Sequence, residues 1–223
     1  MSKSVLTASP TLRLDAARVA AQKDLAQYNT LTERSKLELI SAAAGDANLS
    51  VRDLAVLRSA LEIICAARVI GDWVEIAASE FKKLPVVALG LARERLGWPV
   101  EPHSPLAGLP ETIDDLATAV GYWEFNQTPT VFFDKTKALS EEQKLLAHKS
   151  LLAVARAVSA GLTGDVSVQP AELAAQVSDT DAKWAADFAD QSYSPAVYWT
   201  WCMNEGLHAA VAKANAVHTM IGR

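Results

Sequence analysis

The sequence predicts an all-α protein, a multi-helix bundle of about eight to ten helices with a proline-rich connecting segment. Three observations predict it. Half of the residues are apolar, alanine is abundant and β-branched runs are short, a mixture that favours helix over sheet. Helix-start signals, Ser or Thr followed three residues on by an acid or Gln, recur along the chain. Prolines gather in one place instead of interrupting every segment.

Ser9-Pro10 opens a first helix over about 12–28. Thr30 with Glu33 reads as a capping box for a second helix that stops at Gly45. Ser50 with Asp53 caps a third, over about 51–70. That third helix is apolar nearly all round beyond Leu61, which places it at the centre of the fold. Gly71-Asp72 marks a break before "WVEIAASEFKK", and Pro85 interrupts again ahead of "VVALGLARERLG".

The segment 97–110, "GWPVEPHSPLAGLP", holds four prolines in fourteen residues and cannot be a helix. The chain reads as a single helical domain over 1–223, or alternatively as two helical halves, 1–96 and 111–223, joined by that segment. "ETIDDLATAVGYWEF" follows as a helix with its acids at the favourable N-terminal end. That position explains Asp114-Asp115 better than a magnesium site does, because no second acidic motif accompanies the pair. "NQTPTVFFDKTKA" is irregular, with a short extended piece at 131–133. Its aromatics, with those of "GYWEF", read as a hydrophobic plug rather than a lid, since a loop of this length must bury something to stay ordered. Ser140 with Gln143 caps a long helix to about Ala160, ended by Gly161 and Gly164. Pro170 and Asp179 start two short helices, and Ser194-Pro195 starts the long final one.

The net charge is −5 with no basic block, so binding to nucleic acid through its phosphates is not expected. No apolar run reaches a membrane span, and the first ten residues carry no apolar signal segment. A cytoplasmic protein is the expectation. The two cysteines, Cys65 and Cys202, lie far apart in apolar surroundings and read as buried thiols acting as small hydrophobes. No phosphate-cradling loop, dinucleotide fingerprint, nucleophile elbow, H-E-x-x-H or EF-hand loop occurs. Four histidines, His103, His148, His208 and His218, leave little material for a histidine-rich zinc site.

The stretch "SPAVYWTWCMNEGLH" at the head of the last helix is the best place for a site. One stripe of that helix, Trp199, Met203, Ala210, Ala214, Val217 and Ile221, reads as a packing face. Its neighbour, Val197, Trp201, Asn204, His208, Val211, Asn215 and His218, is polar yet hardly charged, with Glu205 beside it. The scarcity of charge suggests an enclosed helix whose Asn and His groups find partners inside.

Three readings stand together. The face is a buried polar network; or Glu205-x-x-His208 ligates a metal; or Tyr198, Trp201, Asn204, Glu205 and His208 form a pocket for a small apolar or aromatic ligand. No metal is expected, because a carboxylate bridge between two irons needs a second Glu-x-x-His and this chain has none. Glu205 and His208 are the weak candidates, with Glu62, Glu75 and His148 as single outlying ligands. No cofactor is indicated. Arg58 and Glu62 are spaced for an intrahelical pair, and Arg68 must find a partner or reach the surface. The leading functional expectation is an interaction or assembly protein that binds a protein partner or copies of itself. The alternative is a small-molecule-binding protein or enzyme with an aromatic pocket against the last helix.

Overall fold

The computed structural model describes residues 10–97, 128–163 and 195–221. The proline-rich segment beyond Gly97, the expected helices around Asp114, Pro170 and Asp179, and His103 lie outside those residues. The described elements are α1 (Pro10–Tyr28), α2 (Glu33–Asp46), α3 (Val51–Arg68), α4 (Gly71–Ile76), α5 (Leu84–Arg95), a 3₁₀ turn (Thr130–Phe132), α6 (Glu141–Thr163) and the final helix. The final helix runs as α7 (Pro195–Trp201), a π turn (Cys202–Gly206) and α8 (Leu207–Ile221). Among the described residues there is no strand, and the protein is all-α.

α1 and α2 pack as a pair. Asn29 takes the left-handed conformation (φ 57°) that ends α1, a conformation Asn tolerates better than most residues. The cap of α2 is Thr32, not Thr30: its side chain accepts from the Ser35 N–H, and the helix starts at Glu33. The reason is Asp24, whose carboxylate accepts from the Thr32 N–H at 3.0 Å and the Thr32 hydroxyl at 2.5 Å, pinning the turn two residues later than the spacing suggested. Hydrogen bonds from Ser35 and Thr32 hold the Asp24 carboxyl below its ordinary range. α2 then runs one residue past Gly45. At α3 the reciprocal capping box is present, Ser50 N–H to Asp53 Oδ2 at 3.0 Å and Asp53 N–H to Ser50 Oγ at 3.3 Å.

α3 is the hub, touching α2, α5, α6 and the final helix. Leu57, Ala60, Leu61, Ile63, Cys65 and Ala66 are all buried, as expected for a helix apolar on nearly every side. It breaks at Arg68, and α4 begins at Gly71. Trp73 on α4 is fully buried and donates its indole N–H to the Phe81 carbonyl at 2.9 Å.

Of the expected extended piece at 131–133, residues 131 and 132 belong to the 3₁₀ turn, and only Phe133 is extended, bridging to Ala77. Pro129 ahead of it and the Ala78 N–H to Phe132 carbonyl bond (2.8 Å) leave room for a single turn. Phe132 and Phe133 are buried with ring centroids 6.3 and 6.4 Å from that of Trp73, so this part of the loop is a plug. Ser140 and Gln143 form the expected box at the start of α6, and the helix continues through Gly161 to Thr163.

His148 on α6 is fully buried, its Nδ1 3.1 Å from the Thr128 hydroxyl and its Nε2 without a partner. Burial, and then the Lys149 charge, lower its pKa below the ordinary 6.5. The unfolded chain therefore takes up this proton before the native chain does. Stability from this site is complete above about pH 6.5 and is lost as pH falls below it. His148→Gln should flatten the fall in urea midpoint between about pH 7.5 and about pH 5.5. Ser50→Ala should lower stability by about 1 kcal/mol, read in the same denaturation experiment.

Candidate functional site

The final helix does not keep one period. In the π turn the Leu207 N–H reaches the Cys202 carbonyl, five residues back instead of four. In this turn Arg18 of α1 donates from Nη2 to the Met203 carbonyl at 3.3 Å. The same Nη2 lies 2.6 Å from His208 Nε2, a contact that requires the imidazole nitrogen to accept.

The π turn divides the residues singled out in the sequence. Tyr198 is buried, Trp201 is half-buried, and Asn204, Glu205 and His208 are exposed. Tyr198 and Trp201 meet, ring centroids 5.7 Å apart. Arg68 reaches the surface and stacks on the Trp201 ring at 4.1 Å. The expected enclosure of the polar stripe is not seen: Val197, Asn204, His208 and Asn215 are exposed. Exposed alanines at 209 and 212 explain the error, since a surface can be low in charge without being covered. Glu205 and His208 thus sit on an open face. Among the described residues no group of three or more His, Cys, Asp or Glu could hold a metal ion.

The opposite face of the helix lines a cavity. Trp199, Cys202, Met203 and Leu207 form one side of a partly open cavity of about 30 Å³, with Leu31, Lys36, Leu39 and Ile40 of the α2 region and Leu61 and Glu62 of α3 on the other. Its walls are apolar apart from a few polar groups. Glu62 is 1% exposed and Lys36 8% exposed. The Lys36 ammonium lies 3.1 Å from Glu33 Oε1 and 5.2 Å from the centre of the Trp199 ring. The Trp199 indole N–H is buried without a hydrogen-bond partner. Taking a carboxylate and an ammonium out of water costs several kcal/mol per ion, and an orphaned indole N–H adds to that cost.

One more grouping adjoins the cavity. Cys65 of α3 and Cys202 of the π turn, 0% and 6% exposed, are both buried where α3 packs on that turn. The Tyr198 hydroxyl is buried without a hydrogen-bond partner. The contact with Cys202 and burial push the Cys65 thiol up, and burial pushes the Tyr198 hydroxyl up.

Of the expected pocket residues Tyr198, Trp201, Asn204, Glu205 and His208, none lines this cavity, while both cysteines lie in the core as read. Lys36 carried no signal, Trp199 and Met203 stood on the packing stripe, and Glu62 was named as an outlying ligand or partner of Arg58. A usable signal existed in α3, where Ser59 and Glu62 interrupt an apolar run and Cys65 stands one turn beyond Glu62.

Arg18→Ala should destabilise the protein by about 1–2 kcal/mol, because the Met203 carbonyl loses its donor. Arg18→Lys should recover only part of that loss in a urea midpoint, since Lys lacks the guanidinium fork that serves Met203 and His208 together.

Comparison with known proteins returns no matching family model, no matching characterised protein and no matching solved structure.

Proposed function

We propose that this chain binds a small molecule in the cavity between α2, α3 and the final helix. One observation carries the reading: the buried Glu62 and Lys36 and Trp199, whose indole N–H has no partner, all line one apolar cavity. Apolar walls with a few placed polar groups are the usual make-up of a ligand site. Groups that cost stability are retained where function needs them.

At about 30 Å³ the cavity seats one or two water-sized molecules, against about 300–1,000 Å³ for a typical ligand pocket. A larger ligand enters by moving the π turn. Cys202 and Met203 lie within it and Leu207 follows it, and π turns are frequent at functional sites. Met203 is the side chain best able to give way, being unbranched and flexible. The ligand class is an apolar or aromatic body carrying an acceptor for the Trp199 N–H or an acidic group for Lys36. Tyr198 and Trp201 support the helix from behind. In this reading Asn204, Glu205 and His208 lie on the helix face away from the ligand.

A second reading is self-association. The exposed apolar side chains Val19 and Tyr28 of α1, Leu37 of α2 and Val197 of α7 favour it. Scattered apolar side chains of this kind are also ordinary on a protein surface.

Native mass spectrometry of gently purified protein tests both. The binding reading predicts a mass excess that is retained in wild type and absent in Met203→Trp, whose indole fills the cavity. A chain without any excess, or an excess unaffected by Met203→Trp, contradicts it. A defined multiple of the chain mass, without any excess, favours assembly.

A further inference from the structure

We propose that Arg18 is the latch of the cavity: it fastens the outside of the π turn, and its release lets the wall move and a ligand enter. The guanidinium Nη2 lies 3.3 Å from the Met203 carbonyl and 2.6 Å from His208 Nε2. Both contacts fall where the final helix builds the cavity wall. Met203 is a lining residue whose own carbonyl Arg18 holds, and Leu207, another lining residue, stands next to His208. One nitrogen thus fastens the π turn at its second residue and again two residues past its end. Arg18 is also attached to the facing wall. It belongs to α1, which packs chiefly on α2, and α2 contributes Lys36, Leu39 and Ile40 to the other side of the cavity.

Three features let this latch open. The Arg18 side chain is 23% exposed, so it has water to move into. Its Nε is buried without a hydrogen-bond partner, and the closed position therefore leaves one guanidinium donor unsatisfied. Asp15, one turn earlier on α1 and 67% exposed, already lies 3.8 Å from Nη1. It can take the guanidinium when the side chain swings outward, and a carboxylate is a stronger acceptor than a carbonyl or an imidazole nitrogen. With Arg18 on Asp15, the turn that carries Cys202 and Met203 is free to draw back from Leu39 and Ile40, and the partly open cavity widens. The purpose of the latch rests on the reading that the cavity binds a small molecule, but its existence does not.

The protein carries its own reporter. Cys202 lines the cavity at 6% exposure, whereas Cys65 is fully buried and does not line it. The folded full-length protein is exposed to N-ethylmaleimide and quenched at intervals, and each cysteine is followed by peptide mass. In Arg18→Met, Cys202 should react about tenfold faster than in wild type, as loss of one or two hydrogen bonds implies. Cys65 should keep its wild-type rate. His208→Ala, a change at an exposed residue that removes one of the two contacts, should speed Cys202 by a smaller factor. An unchanged Cys202 rate in Arg18→Met overturns the proposal. So does acceleration of both cysteines by the same factor, which is general loosening of the fold. If Arg18→Met does not fold, His208→Ala decides by the same two criteria. No ligand takes part in the labelling, so an unchanged Cys202 rate removes the latch and leaves the binding reading standing, while a missing mass excess does the reverse.

Discussion

A carboxylate is buried on the helix against which most of the others pack. α3 touches α2, α5, α6 and the final helix, so it has almost no face left for water. An all-apolar sequence would satisfy that position at least cost. Instead, Glu62 stands in the middle of it at 1% exposure, with Ser59 one turn before and Cys65 one turn after. Apolar burial of Leu57, Ile63 and the alanines holds α3 in place at roughly 25 cal/mol for each Å² removed from water. Against that background the cost of Glu62 is tolerable, but it is not explained by packing.

The rest of the site follows from giving this acid a setting. α2 supplies Lys36, whose stem runs along apolar wall while its ammonium reaches Glu33 and the Trp199 ring. The final helix supplies Trp199, Cys202, Met203 and Leu207, and it can place them only through its π turn. A regular α-helix would rotate everything after Cys202 by one residue. α1 ties to this turn through Arg18, which donates to the Met203 carbonyl. Thus α1, α2, α3 and the final helix are tied to the same few side chains by different bonds. Gly206 belongs to this arrangement: a Cβ there would stand 3.4 Å from the Trp201 ring and 3.8 Å from the Cys202 sulfur. The Trp201 ring lies under the Arg68 guanidinium.

Much of the fold was legible because its signals are local. The boxes at Ser50–Asp53 and Ser140–Gln143, the break at Gly71 and the start at Pro195 all involve residues within one turn of each other. Thr32 was missed because its competitor Thr30 has the better spacing, and Asp24, eight residues away on the preceding helix, decides between them. The site was far less legible. Period 3.6 correctly put Trp199, Met203, Ala210 and Ala214 on one buried face. It could not foresee the π turn, nor that the polar stripe faces water, because a low charge density there reflects surface alanines rather than cover. Lys36 and Glu62 are far apart in sequence and carry no shared motif. Only the packing of α2 on α3 brings them to one cavity.

The central claim is that the buried charges of the cavity serve function at a cost to stability. The most direct measurement replaces both together, Lys36→Met with Glu62→Leu, and compares the double variant with wild type in a urea denaturation. Apolar replacements of buried ions by side chains of similar volume are commonly neutral or stabilising. The account predicts a midpoint at or above that of wild type. A double variant that is clearly less stable would contradict it and would make Lys36 and Glu62 structural members of the core.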